Sequence, residues 1–128
     1  MPSSTLSNLF SLPWDVAKSH LAIALGGYDP SAEIEQGKAF PFLIGQPSQG
    51  AVVLVRTEQK EMVVIAFEGV HQLDQASRVL IALAKAIKAT SIRVHTKRKG
   101  ELRYLNRLGY PFELVEQRDQ EYVLRMVF

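Results

Sequence analysis

The sequence predicts an α/β domain built on a mixed β-sheet, with a central pair of parallel strands flanked by helices. Three observations carry that reading. Ala51–Val55 and Met62–Phe67 are unbroken apolar, β-branched runs joined by polar Thr57-Glu58-Gln59-Lys60. That pattern is a hairpin with strands covered on both faces, because apolar and polar residues do not alternate. Leu73–Ala89 then places Ala76, Val79, Leu80, Leu83 and Ile87 at helical spacing, the stripe of a helix packed on a sheet. Ser91–His95 returns as a short strand. Strand, helix and strand form a βαβ unit, so Ser91–His95 is expected to run parallel to residues 61–67 through a right-handed crossover.

The other elements follow in order. Ser11-Leu12-Pro13-Trp14-Asp15 reads as a helix start, with Val16, Leu21, Ala24 and Leu25 on one face and Gly26-Gly27 as the stop. Residues 28–49 are broken repeatedly by Pro30, Gly37, Pro41, Gly45 and Pro47. Only Phe40–Ile44 suits a strand there, a short edge strand in which Pro41 is tolerated. Gly100–Leu108 reads as a second helix with Leu102, Tyr104, Leu105 and Leu108 inward and Gly109 as its cap. Phe112–Gln117 and Glu121–Phe128 close the chain as an antiparallel hairpin. The expected order is α-(β)-β-β-α-β-α-β-β, in one domain over residues 1–128.

Composition narrows the chemistry. Hydrophobic residues make up 47% and charged residues 22% of 128, a soluble globular balance. Without cysteine there is no disulfide, thiolate zinc site or thiol nucleophile, which suits a cytoplasmic protein. Met1-Pro2-Ser3-Ser4 lacks the basic region of a signal peptide. The apolar runs fall far short of the roughly 20 residues that span a bilayer. His20, His71 and His95 have no metal-ligand spacing. Charge is uneven: residues 1–70 hold 4 Lys/Arg against 7 Asp/Glu, and residues 71–128 hold 11 against 6, so the second half is the one suited to anions.

This order, with Leu108-Gly109-Tyr110 ending the second helix and Tyr122-Val-Leu-Arg-Met126 as the closing strand, resembles the GNAT superfamily of acyl-CoA N-acyltransferases over roughly residues 50–128. The resemblance implies acetyl-CoA as cofactor and an amine as acceptor. It sets the family's Gln/Arg-x-x-Gly-x-Gly/Ala turn on His71-Gln72-Leu73-Asp74-Gln75-Ala76. There, backbone N–H groups and a helix N-terminus hold a pyrophosphate. Phe67, Gly69, Val70, His71, Asp74, Gln75 and Ala76 are the implied cofactor contacts, joined by Arg98. His71 stands at the Gln/Arg position, Asp74 at the first glycine, and only Ala76 conforms. A carboxylate there opposes a phosphate by up to about 4 kcal/mol at 4 Å and an effective dielectric of 20. As a helix cap, the same Asp74 needs no ligand.

The family's proton-donating tyrosine, four residues before the helix-ending glycine, falls on Leu105, which has no proton to give. Its neighbour Tyr104 is expected to turn toward the core. Glu68 and His95, each ending one of the parallel strands, are the candidate general bases at the edge where ligands of such sheets bind. The cluster Lys97-Arg98-Lys99, with Arg93 and Arg103, admits three readings: a solvated loop, a contact for a CoA phosphate, or a surface for nucleic acid or an acidic protein. No aromatics interleave with it, so base stacking is not expected. Small divergent chains of this kind resemble those carried by phages and prophages. The resemblance therefore leaves a competing reading, an inert interaction module in phage assembly or host interference, in a host cytoplasm or on a virion. Open sheet edges leave room for an oligomer.

Overall fold

The computed structural model describes residues 6–45, 50–69 and 73–128. Its elements are β1 (Leu9–Ser11), α1 (Trp14–Leu25), α2 (Ser31–Glu35), β2 (Ala39–Ile44), β3 (Ala51–Glu58), β4 (Glu61–Glu68), α3 (Leu73–Ala86), β5 (Ser91–Thr96), α4 (Glu101–Arg107), β6 (Glu113–Arg118) and β7 (Glu121–Val127). The strands form one sheet in the order β1-β2-β3-β4-β5-β7-β6. Every neighbouring pair is antiparallel except β4 and β5, which run parallel as the βαβ pattern requires.

The continuous apolar runs of β3 and β4 are explained by cover on both sides. Val53, Val55, Met62 and Val64 pack with Ala76, Val79 and Leu80 of α3 and Leu105 of α4. Val52, Leu54 and Ala66 pack with Ala17 and Leu21 of α1. Successive strand residues thus enter opposite cores. Burying a leucine such as Leu54 fully is worth about 1.5–3 kcal/mol.

Four expectations change. Phe40–Ile44 is no edge: β2 lies between β1 and β3. Pro41 is tolerated because it sits just past the three-residue β1 ladder, where its carbonyl still accepts the Leu12 N–H at 3.1 Å. The strand β1 itself was too short to carry a period. The helix α2 escaped within the proline-rich stretch, although Asp29 accepts both the Ser31 N–H at 3.0 Å and the Ser31 hydroxyl at 2.6 Å, a helix-start pattern visible in Asp29-Pro30-Ser31. Finally, Val16 and Ile87 are exposed; α1 buries Ala17 and Leu21 instead, and α3 stops at Ala86, before Ile87. No helix among the described residues is long and apolar enough to cross a membrane.

Candidate active site

Two irregularities in the central strands create the site. The first is the end of the parallel ladder. Pairs run from Glu61↔Ser91 to Val64↔Val94 and stop, yet β4 continues to Glu68 and β5 to Thr96. Their C-terminal halves diverge, and backbone groups that would have paired face a gap. The second is a β-bulge. Leu54 of β3 pairs with Ala66, while Val55 pairs with Val64, so Ile65 is one residue extra in β4. A bulge reverses the side-chain alternation beyond it. Ile65 and Ala66 consequently share the α1 side, Phe67 returns to the α3 side, and Glu68 is delivered to the α1 side. Were β4 regular through Ile65, with no bulge, Glu68 would point with Met62 and Val64 toward the α3 core.

The gap opens into a cleft of about 520 Å³ whose walls include His20 and Ile23 of α1, Phe67 and Glu68 of β4, and His95 and Thr96 of β5. A shallower groove of about 320 Å³ continues past Leu73, Arg98, Gly100, Glu101 and Tyr104. Arg98 and Glu101 belong to both, so the two make one path from the sheet edge to the start of α3.

Arg98 spans the mouth. Its Nη2 donates to the Gly69 carbonyl at 3.3 Å, and its guanidinium lies 5.8 Å from the centre of the Phe67 ring, within cation–π range. Only glycine fits at 69, because a Cβ there would lie 2.8 Å from the Ala51 Cβ. Lys97 is engaged differently. Its Nζ donates to the Ile23 carbonyl at 3.1 Å, placing a cation at the negative end of α1. Gly26, at φ 59°, caps that helix and leaves the room Lys97 occupies.

Glu68 and His95 both line the cleft but differ in freedom. Glu68 is half-exposed, with His20 Nδ1 3.8 Å from its Oε2. His95 is bracketed. Arg93 Nε donates to its Nε2 at 3.2 Å, and a guanidinium has no lone pair to offer in return. The ring proton therefore belongs on Nδ1, 3.3 Å from Glu121 Oε1. For His95 to accept a proton, the Arg93 bond must break.

The remaining predicted contacts scatter. Asp74 stands in the first turn of α3 and pairs with Arg78 at 3.5 Å, a neighbour that partly offsets its charge. Gln75 reaches toward Gly45, and Ala76 is fully buried in the core. Val70 and His71 lie outside the described residues. Tyr104 does not enter the core: it is exposed and lines the groove, while Leu105 takes the buried position. No group of acidic, histidine or cysteine side chains suited to a metal occurs among the described residues.

Glu101, His20 and Glu121 were not singled out by the sequence. Glu101 is buried. Burial raises its carboxyl above the ordinary range, opposed by a hydrogen bond from Thr96 and the charge of Arg98. A glutamate opening a basic helix reads from sequence as a first-turn residue, and nothing in its spacing marks it.

Solved structures with this architecture include several acetyltransferases. The chain superposes on an IAA acetyltransferase from Bacillus cereus with a TM-score of 0.68 at 14% identity, covering 94% of this chain and 98% of that one. A Bacillus subtilis acetyltransferase in complex with CoA matches with a TM-score of 0.68 at 14% identity, over 94% and 96%. The ribosomal-protein-S18-alanine N-acetyltransferase of Escherichia coli gives 0.62 at 9% identity, over 93% and 92%. The fold is that of the GNAT acetyltransferases. No protein-family model matches the sequence, and no curated protein matches it. The GNAT fold is thus held by its topology, with few residues in common.

Proposed function

We propose that the protein is an acyl-CoA-dependent N-acyltransferase acting in the cytoplasm, with the thioester entering between the diverging ends of β4 and β5. The observation that carries this reading is the arrest of the parallel ladder at Val64↔Val94 beside a cleft large enough for a slender arm. The site fits such a substrate. Phe67 and the Gly69 backbone offer an apolar wall and close approach, and Arg98 brings a positive charge to the path shared by cleft and groove. Acyl-CoA would supply the activated thioester carbonyl when bound; the chain's own residues place and deprotonate the amine. The amine approaches from the α1 side, where His20 and Glu68 stand. Glu68, freer than His95, accepts its proton through water as the nitrogen bonds to the carbonyl carbon. Carriage by a phage or prophage remains a reading of the sequence alone.

Calorimetric titration with acetyl-CoA and with CoA tests the proposal. Binding is expected for both, and Asp74→Gly should tighten it several-fold by removing a like charge at the helix start. Absence of heat at millimolar ligand, for the wild type and Asp74→Gly alike, would overturn the enzyme reading in favour of an inert interaction module.

A further inference from the structure

Leu105 leaves the proposed reaction without the tyrosine that would return a proton to the departing thiol. The structure places another acid on the same helix. Glu101 lies four residues before Leu105, on the same face of α4, and both are buried. Among the described residues, Glu101 is also the one that borders the cleft, the groove and the small apolar cavity of about 30 Å³ beneath the gap, lined by Val64, Phe67 and Leu105 among others. It stands where all three spaces meet.

We infer that Glu101 is the general acid of the site, a carboxyl that gives its proton to the sulfur leaving the thioester. This inference rests on the acyltransferase reading. As the amine nitrogen bonds to the carbonyl carbon, the C–S bond breaks and its electron pair moves to sulfur, which takes the Glu101 proton and departs as a thiol. The amine's proton has gone to Glu68 through water, and exchange across the cleft restores both carboxyls. Atoms and charge balance without a further reactant.

The surroundings suit an acid that must be neutral before it acts. Apolar neighbours Phe67, Leu73 and Leu105 border the same spaces, and burial is the leading reason its carboxyl resists ionisation. Once ionised, the carboxylate keeps the Thr96 hydrogen bond and the nearby charge of Arg98. Arg98 and Thr96 are linked in turn, since the Arg98 N–H donates to Thr96 Oγ1 at 3.0 Å. The other titratable groups around the cleft are Glu68, His20, His95, Lys97 and Glu121. Of these, Lys97 is held by the Ile23 carbonyl, and His95 by Arg93 and Glu121.

The test compares the wild type with Glu101→Gln, which keeps shape and hydrogen bonding but has no acidic proton. Acetyl-CoA affinity by calorimetry should change less than twofold. Thiol release from acetyl-CoA, with primary amines or water as acceptor, should fall about 100-fold or more in kcat with little change in KM. The wild-type rate should decline as pH rises through the raised carboxyl value, and the variant should lack that limb. Independently of turnover, an infrared carboxylic-acid band should persist above the usual glutamate range, shift when CoA is added, and vanish in Glu101→Gln. Should the variant fail to fold, the wild-type infrared titration still decides. Unchanged kcat, equal losses in kcat and affinity, a band indifferent to CoA, or wild-type protein that binds acetyl-CoA but releases no thiol would each overturn Glu101's role. Wild-type protein that binds no acetyl-CoA overturns the acyltransferase reading itself, and the acid with it.

Discussion

The two ends of the β4–β5 pair are built from the same strands and behave oppositely. At the closed end, Glu61 is ligated from both sides: Arg93 Nη1 donates at 2.9 Å, Arg125 Nε at 2.6 Å and Ser91 Oγ at 2.8 Å. Glu58 extends the cluster, accepting from Arg93 at 3.0 Å and standing 2.7 Å from Arg56. At the open end the β4–β5 ladder has stopped, the ionic partner of Glu68 among the described residues is a distant histidine, and the crossing contacts are long side chains from the loop after β5. The contrast teaches how a gap is held in a sheet. Strands that diverge lose hydrogen bonds, so their common end must be fixed firmly enough to set the angle, and here a charge network clamps it.

Inserting an alanine between Ala66 and Phe67 should have the largest effect, because it reverses the side-chain alternation beyond the bulge. Glu68 would then turn toward the α3 core and its carboxyl would lose water without a partner. The expected loss is about 3 kcal/mol or more, read as a collapsed urea midpoint together with lost acetyl-CoA binding. An insertion variant that keeps both would show that strand register does not aim Glu68.

The closed end breaks next. Glu61→Gln leaves two arginines with a neutral partner. The loss should be about 2 kcal/mol, below the 3–5 typical of a fully buried pair because Arg125 remains partly exposed. Acetyl-CoA affinity at the other end should weaken with it if the clamp sets the gap. The variant also carries a pH signature. Burial pulls the Glu61 carboxyl up, but hydrogen bonds from Arg125 and Ser91 and the charges of Arg125 and Arg93 outweigh it, and the group lies below its usual 4.5. The folded state then binds fewer protons than the unfolded chain, so this stability is present above about pH 4.5 and drains away as pH falls through the lower folded value. Glu61→Gln should flatten that acid limb. Glu101 runs the other way: its raised carboxyl makes stability fall as pH rises above 4.5.

What could be read in the sequence tracks this division. The strands of the closed end were legible, because Met62–Phe67 and Ser91–His95 announce themselves by β-branched runs and the helix between them fixes their direction; the clamp was not, since Arg93, expected with the Lys97-Arg98-Lys99 cluster, pairs with Glu58 and Glu61 instead. The open end was legible only as a location. Glu68, His95 and Arg98 were named from strand ends and from a resemblance, and they do meet at one cleft. The bulge that orients Glu68 has no signature in Val64-Ile65-Ala66, since an extra apolar residue in an apolar run changes nothing in the pattern. Glu101 and His20 were missed for a related reason: a helical residue's neighbours across a cleft depend on tertiary packing, which spacing along the chain does not encode. Val16 departs from its expected face similarly: α1 covers the sheet with Ala17 and Leu21, with Ala24 and Leu25 packed beside them, while Val16 is exposed.

The smallest effect separates tether from ligand at the open end. Lys97 and Arg98 are adjacent cations, yet Lys97 reaches back to the Ile23 carbonyl while Arg98 reaches across to Gly69. Replacing Lys97 with alanine removes a half-exposed cation from a helix C-terminus, worth about 0.5 kcal/mol, or a melting temperature lower by roughly 2 °C. Acetyl-CoA affinity should stay within twofold, because the ammonium, although at the cleft wall, is committed to the Ile23 carbonyl of α1. A tenfold loss of affinity in Lys97→Ala, strongest at low salt, would instead put Lys97 on a phosphate. The tie to Ile23 would then be a resting contact that substrate displaces, and α1 would be free to shift when the cleft fills.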